Sequence, residues 1–207
     1  MSSATNQIVA ALQRLTLFWR ASLWKVAKEL GLNPTQCEIL TRVAARPERL
    51  ADLALALGIT QASLSDSVAA LASKGLLRRQ PDPADGRARR IVATEAGQAL
   101  AARMPEAPEA LQGAVAGLGA IDAAGLLRSL TLIIRSLQEA QAIPVQHMCL
   151  TCRYFRPHAH DDPVRPHHCA FVDAAFGDAA LRLDCADHET ATEEAAARAW
   201  AVLAEVG

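Results

Sequence analysis

Aromatic side chains make up only 4% of the 207 residues. In a chain dominated by alanine and leucine, so small a share disfavours a sheet-built fold and points to helices, because these residues lose little entropy in a helix. No apolar run approaches the ~20 residues of a membrane-spanning helix. The stretch from Met1 to Gln7 is polar and lacks the basic start and apolar run of a secretory signal, so a cytoplasmic protein without membrane contact is expected. There is no Gly-rich nucleotide loop, which argues against a nucleotide-dependent redox enzyme and for a chain that is not an enzyme. Charge of either sign is nearly balanced, the formal net charge being −1. A chain this close to neutrality offers phosphate no general attraction, so the distribution of charge matters more than its sum. Histidine is absent before His147, and Cys37 is the one cysteine before Cys149.

What is present is 51% hydrophobic, enough for a core. From about Asn6 to Leu30 apolar residues recur at helical spacing, and Gly31 ends the run. Asn33, Pro34 and Gln36 have the form of an N-cap, a first-turn proline and a capping-box partner, opening a helix to about Ala45 before Pro47. Leu50 to Leu57 reads as a short helix stopped by Gly58. Thr60 caps the next, which runs to Lys74 and closes at Gly75. Two helices joined by so tight a turn make a helix-turn-helix. On the second, Leu64, Val68 and Leu71 share one face, leaving Ala62, Ser65, Asp66, Ala69 and Ser73 outward, small or polar enough to approach a DNA groove. Leu76 to Gln80 and Arg87 to Ala93 read as strands about a turn from Pro81 to Gly86, a β-hairpin wing. Lys74, Arg78, Arg79, Arg87, Arg89 and Arg90 make this stretch a positive patch against Asp82 and Asp85. Thr94 then caps helical sequence expected to continue to about Ala142, with Pro144 as a boundary.

The motifs Leu32-Asn33-Pro34-Thr35-Gln36, Gly58-Ile59-Thr60-Gln61, Lys74-Gly75-Leu76-Leu77-Arg78-Arg79, Asp82-Pro83-Ala84-Asp85-Gly86-Arg87 and Thr94-Glu95-Ala96-Gly97 resemble those of the MarR family of transcription regulators, over roughly residues 6–140. The resemblance implies a homodimer joined through its first and last helices, with a recognition helix in each of two successive major grooves of a palindromic double-stranded operator and a wing beside the minor groove. The commonest function implied is repression. The residues it assigns to DNA are Thr60, Gln61, Ala62, Ser63, Ser65 and Asp66 on the recognition helix and Arg78, Arg79, Arg87, Arg89 and Arg90 on the wing. Arg87 is the leading wing candidate by motif position. Asp66 departs from the family, where a basic residue is often found near this position; it could accept from cytosine or pair with a nearby arginine. Trp19 and Trp24 could line an effector pocket or pack in the core or dimer interface.

All six histidines (His147, His158, His160, His167, His168, His188) and four of the five cysteines (Cys149, Cys152, Cys169, Cys185) crowd into residues 147–188. In a reducing compartment a metal explains such clustering better than disulfides. One C-x2-C pair and two later single cysteines can close a tetrahedral thiolate site. The stretch from Cys149 to Cys185 also resembles, in spacing, small high-potential-type iron–sulfur proteins. An iron–sulfur cluster is expected, with Zn2+ as the alternative, since imidazole also suits zinc. Aromatic and apolar neighbours (Tyr154, Phe155, Phe171, Phe176, Leu183) could shield a cluster. Cys37, among Ile39, Leu40 and Val43, is expected to pack as a small hydrophobe.

The expectation is therefore a mainly α protein with a small β-hairpin wing: a winged helix-turn-helix domain with helical dimerisation arms at 1–142, a cysteine-rich C-terminal module at 143–189, and a C-terminal helix at 190–207. Its function would be sequence-specific DNA binding controlled by a four-cysteine iron–sulfur or metal centre. Two alternatives stand beside it: a regulator that responds to a small organic effector and carries a structural zinc, and an electron carrier with a winged-helix interaction module.

Overall fold

The computed structural model describes residues 3–205 except 84 and 106. Met1, Ala84 at the expected wing turn, and Val206 at the expected end of the last helix therefore lie outside the described residues. The chain divides into two compact units, one through Gly113 and the other from Ala114 onward.

The first unit opens with α1 (Ser3–Glu29), then α2 (Pro34–Ala45), the two-residue strand β1 (Glu48–Arg49), α3 (Leu50–Leu57) and α4 (Gln61–Ser73). Two strands, β2 (Leu77–Pro81) and β3 (Arg89–Ala93), precede α5 (Glu95–Ala101). The capping signals form as expected. Asn33 accepts from the Gln36 amide at 2.8 Å, and Gln36 Oε1 accepts in return from the Asn33 amide at 3.3 Å. Gly58 ends α3 at φ 63, a left-handed conformation in which a side chain would be strained. Leu64, Val68 and Leu71 of α4 are buried with Ile39, Leu40 and Val43 of α2 and with Leu53, Leu77 and Ile91. Cys37 lies in this core, 2% exposed, and burial raises its thiol pKa.

The antiparallel sheet has the order β1-β3-β2, with Leu77 opposite Ala93 and Arg79 opposite Ile91. β1 has no apolar alternation to announce it. It exists because β3 supplies its pairing and because Glu48, 8% exposed, receives Arg42 Nε at 2.9 Å and Arg46 Nε at 2.8 Å. β3 begins at Arg89 rather than at the expected Arg87, since Gly86 and Arg87 are still in the turn and the Arg87 amide donates to Asp85 Oδ1 at 3.0 Å.

The helical sequence expected from Thr94 to about Ala142 forms three helices, α5, α6 (Glu109–Ala116) and α7 (Ala120–Glu139). Pro105 and Pro108 interrupt it first, Gly117 and Gly119 second, each removing helical hydrogen bonding or adding backbone entropy.

The second unit joins α7 to the cysteine-rich segment and to α8 (Glu193–Glu205). Met148, Leu150, Phe155, Leu181, Ala199 and Leu203 form its buried core, with Leu127, Leu132 and Ile134 of α7 and Trp200 of α8 against them. The cysteine-rich segment is not irregular throughout. It contains a three-stranded antiparallel sheet of β4 (Phe155–Arg156), β5 (His167–Cys169) and β6 (Ala174–Phe176), pairing Phe155 with Cys169 and Cys169 with Ala174. Strands this short, with two adjacent histidines, carry no readable period. Among the described residues no single helix is long and apolar enough to cross a membrane.

Candidate nucleic-acid interface and four-cysteine cavity

The first unit presents α4 and the wing. Thr60 caps α4, its Oγ1 accepting from the Ser63 amide at 3.2 Å and donating to Ser63 Oγ at 3.0 Å. With Leu64, Val68 and Leu71 buried, Thr60, Gln61, Ala62, Ser63 and Asp66 are exposed and Ser65 is half-buried. These residues form the small, polar, outward face expected of a helix that enters a groove. Asp66 makes no ion pair among the described residues, so its carboxylate remains available to an outside donor.

The wing arginines divide into two groups. Arg78 and Arg79 on β2, Arg87 in the turn and Arg89 at the start of β3 are exposed. Arg90 is half-buried and holds Asp82 Oδ2 at 2.9 Å, while Arg49 reaches the same oxygen at 2.6 Å. The Asp82 side chain is fully buried, and its amide donates to Ala88 O at 3.0 Å, so Asp82 pins the base of the wing. Arg90 thus serves the hairpin itself, and the charges turned outward are those of the other four. Nothing local in sequence tied Arg49 to Asp82, thirty-three positions away. Lys74, within the basic patch, donates to Gly31 O at 2.7 Å and ties the end of α4 to the end of α1.

Residues 30–88 match the family model described as the MarR family. Among solved structures, CouR from Rhodococcus jostii RHA1 bound to p-coumaroyl-CoA aligns at a TM-score of 0.54 and 20% identity, over 70% of this chain and 98% of that one. AbsC, a MarR family transcriptional regulator from Streptomyces coelicolor, aligns at 0.54 and 21% identity, over 67% and 97%. The S. aureus MepR–DNA complex aligns at 0.52 and 20%, over 62% and 96%. The chain therefore has the winged-helix fold of these regulators.

In the second unit the four cysteines meet at one cavity of about 170 Å³. Cys149 opens a 3-10 turn (Cys149–Thr151), Cys152 follows it, Cys169 ends β5, and Cys185 lies in the segment before α8. Backbone bonds fix each segment: Cys152 N–H to Cys149 O at 3.0 Å, Cys149 N–H to Arg182 O at 3.0 Å, and Cys185 N–H to His147 O at 2.8 Å. All four are half-buried and free of disulfides. Tyr154, Phe155, Phe171 and Phe176 supply aromatic wall, with one cation, Arg182, and one acid, Asp187, among the described residues of the lining. Burial, then the proximity of the other three cysteines, raises the Cys149 thiol pKa against a lowering bond from the Arg182 amide.

Among the described residues no histidine lines this cavity. His167, wholly buried, holds Asp178 Oδ1 at 2.8 Å and accepts from the His158 amide at 3.3 Å. His160 meets His168 at 3.2 Å, His168 meets Asp173 at 3.3 Å, and His147 stacks on His188 at 4.9 Å. Among the described residues no group of three His, Cys, Asp or Glu side chains is placed to hold a single metal ion. A tetrahedral zinc would require its thiolate sulfurs roughly 3.8 Å apart, given Zn–S bonds of about 2.3 Å. Four cysteine side chains thus share the lining of one cavity with aromatic walls.

Proposed function

We propose that this chain is a sequence-specific DNA-binding transcription regulator, acting as a homodimer, whose operator affinity is set by an iron–sulfur centre held by Cys149, Cys152, Cys169 and Cys185. The DNA-binding part rests on the exposed polar face of α4 beside a wing with four outward arginines, in a fold shared with the MepR–DNA complex. The α4 side chains would read base edges, Asp66 accepting from a cytosine amine, and Arg87 at the turn would neutralise phosphate or enter the minor groove. Ile8, Leu15, Leu17, Phe18 and Trp24 of α1 are each at least 41% exposed in the single chain, apolar area that a second copy would cover.

The observation that carries the control site is the meeting of four thiols from three segments at one cavity with no histidine among the described residues of its wall. An all-thiolate set around such a volume suits a cluster better than one zinc ion. When bound, a cluster supplies one-electron chemistry and sensitivity to oxidants. The chain's part is to hold it, exclude water with aromatic walls, and pass its occupancy on. Leu150, Phe155 and Leu181 pack in one core with Leu127, Leu132 and Ile134 of α7, so a change at the cavity bears directly on the helix expected to join the dimer.

The test is to select DNA from a random pool with the full chain, then measure affinity for the selected site with the protein loaded anaerobically with iron and sulfide and after chelation. The proposal expects tight, salt-dependent, site-specific binding that differs between the two forms. Specific binding unaffected by loading would leave the regulator and remove the cysteine centre as its control, passing that role to a small organic ligand of the kind seen in CouR. Failure to select any sequence would remove the regulator itself.

A further inference from the structure

We infer that Arg182 sets the electron affinity of the four-cysteine centre, an inference that rests on the reading of that cavity as a cluster site. Arg182 engages two of the four cysteines. Its backbone amide donates to Cys149 Sγ at 3.3 Å and its carbonyl accepts from the Cys149 amide at 3.0 Å, while its guanidinium Nη1 lies 3.9 Å from Cys185 Sγ. Among the described residues it is the one cation on the cavity lining, and no carboxylate pairs with it. Leu181, 5% exposed in the core beside it, holds the backbone from which the side chain approaches Cys185 Sγ.

The physical consequence has a definite sign. Four thiolates give the site net negative charge, and each electron gained by a cluster adds one more. A guanidinium beside a ligand sulfur stabilises the more negative, reduced form; Arg182 is exposed, so solvent screens its charge, and the effect rests on the close approach of Nη1 to Cys185 Sγ. The described lining also holds one acid, Asp187, whose opposing charge is the same in wild type and in each Arg182 variant, so the comparison isolates the guanidinium. The amide bond to Cys149 survives any substitution except proline, so side-chain variants isolate the charge.

The experiment is an anaerobic redox titration of the full chain reconstituted with iron and sulfide, with a one-electron dye mediator as electron donor and acceptor and visible absorbance and electron spin resonance as readouts. Wild type is compared with Arg182→Gln and Arg182→Lys, and iron and sulfide content is measured for each. The inference expects equal content, a midpoint potential for Arg182→Gln shifted to lower values, and one for Arg182→Lys close to wild type. Equal potentials in all three would overturn it while leaving the cluster reading intact. If Arg182→Gln loses iron and sulfide, retention by Arg182→Lys supports the role of the charge, and loss by both overturns it in favour of simple packing. Wild type that takes up no iron and sulfide overturns both readings at once.

Discussion

At Gly97 helix propensity and tertiary packing make opposite demands on α5. Propensity alone says that Gly97→Ala should stabilise α5 (Glu95–Ala101) by about 1 kcal/mol. Tertiary structure says the opposite. A Cβ built on Gly97 would stand 2.1 Å from Leu76 O and 3.3 Å from Leu40 Cδ1. Carbon atoms pack without strain at about 3.5 Å or more, so α5 must back away from Leu76 by roughly an ångström. Leu76 O cannot give way freely, because it accepts the Thr94 amide at 3.0 Å, and Thr94 Oγ1 is bonded to Gly75 O at 2.6 Å. Overpacking of this kind costs ~1–3 kcal/mol and sometimes more. Taking the upper end and subtracting the propensity gain leaves a net loss of about 2 kcal/mol, or roughly 10 °C in the melting temperature of a unit this size. The assay is urea and thermal unfolding of the full chain followed by circular dichroism. Gly113→Ala in α6 serves as control, since nothing lies within 4 Å of the Cβ it would add, and there propensity should win. Because Leu76 leads directly into β2, Gly97→Ala should also weaken DNA binding. A Gly97→Ala protein as stable as wild type, or more stable, would refute the packing argument.

Arg87→Ala should weaken binding to selected DNA and reduce the salt slope by about 0.9 for each phosphate that is no longer neutralised, whereas Arg90→Ala should act mainly by loosening the wing, lowering stability as well as affinity. Gel shifts across a salt series together with melts separate the two, and Arg87→Ala with unchanged slope removes that residue from the interface. Serine at Cys149, Cys152, Cys169 or Cys185 should each lower bound iron, while Cys37→Ser leaves it unchanged because Cys37 is in the other core; iron analysis that finds full content in all four single variants excludes a shared site. His158 and His188 both have pKa values below the ordinary 6.5, chiefly through burial, with His167 and His147 respectively adding like charge. The unfolded chain therefore takes up these protons first. Their share of the second unit's stability is complete above about pH 6.5 and is lost as pH falls from there through the folded values. Melts at pH about 7.5 and about 5.5 should show the drop, and substituting either histidine should reduce it.

Those parts of the molecule whose causes are local were legible from residue order alone. The capping box of Asn33 and Gln36, the Thr60 and Thr94 caps, the glycine stop at Gly58 and the buried stripe of Leu64, Val68 and Leu71 all depend on partners within about two helical turns. That Cys149, Cys152, Cys169 and Cys185 would come together could be suspected from their crowding into a short stretch, and they line one cavity. Other features required the folded chain. The strand β1 exists only through β3, and Arg90 is drawn from the basic patch into an ion pair with a buried Asp82 that also holds the distant Arg49. Nothing in local propensity marks α7 as packing with the cysteine-rich segment, since its apolar stripe would serve any partner of similar shape. Residue order by itself determined the kind of elements and the kind of ligands, because backbone preference and side-chain chemistry are short-range properties. Only tertiary structure decided which arginines face outward, which histidines are left off the cavity wall, and that Arg182 meets Cys149 through its amide and Cys185 through its guanidinium, because those outcomes depend on loop closure bringing together groups that have no energetic tie until the core forms.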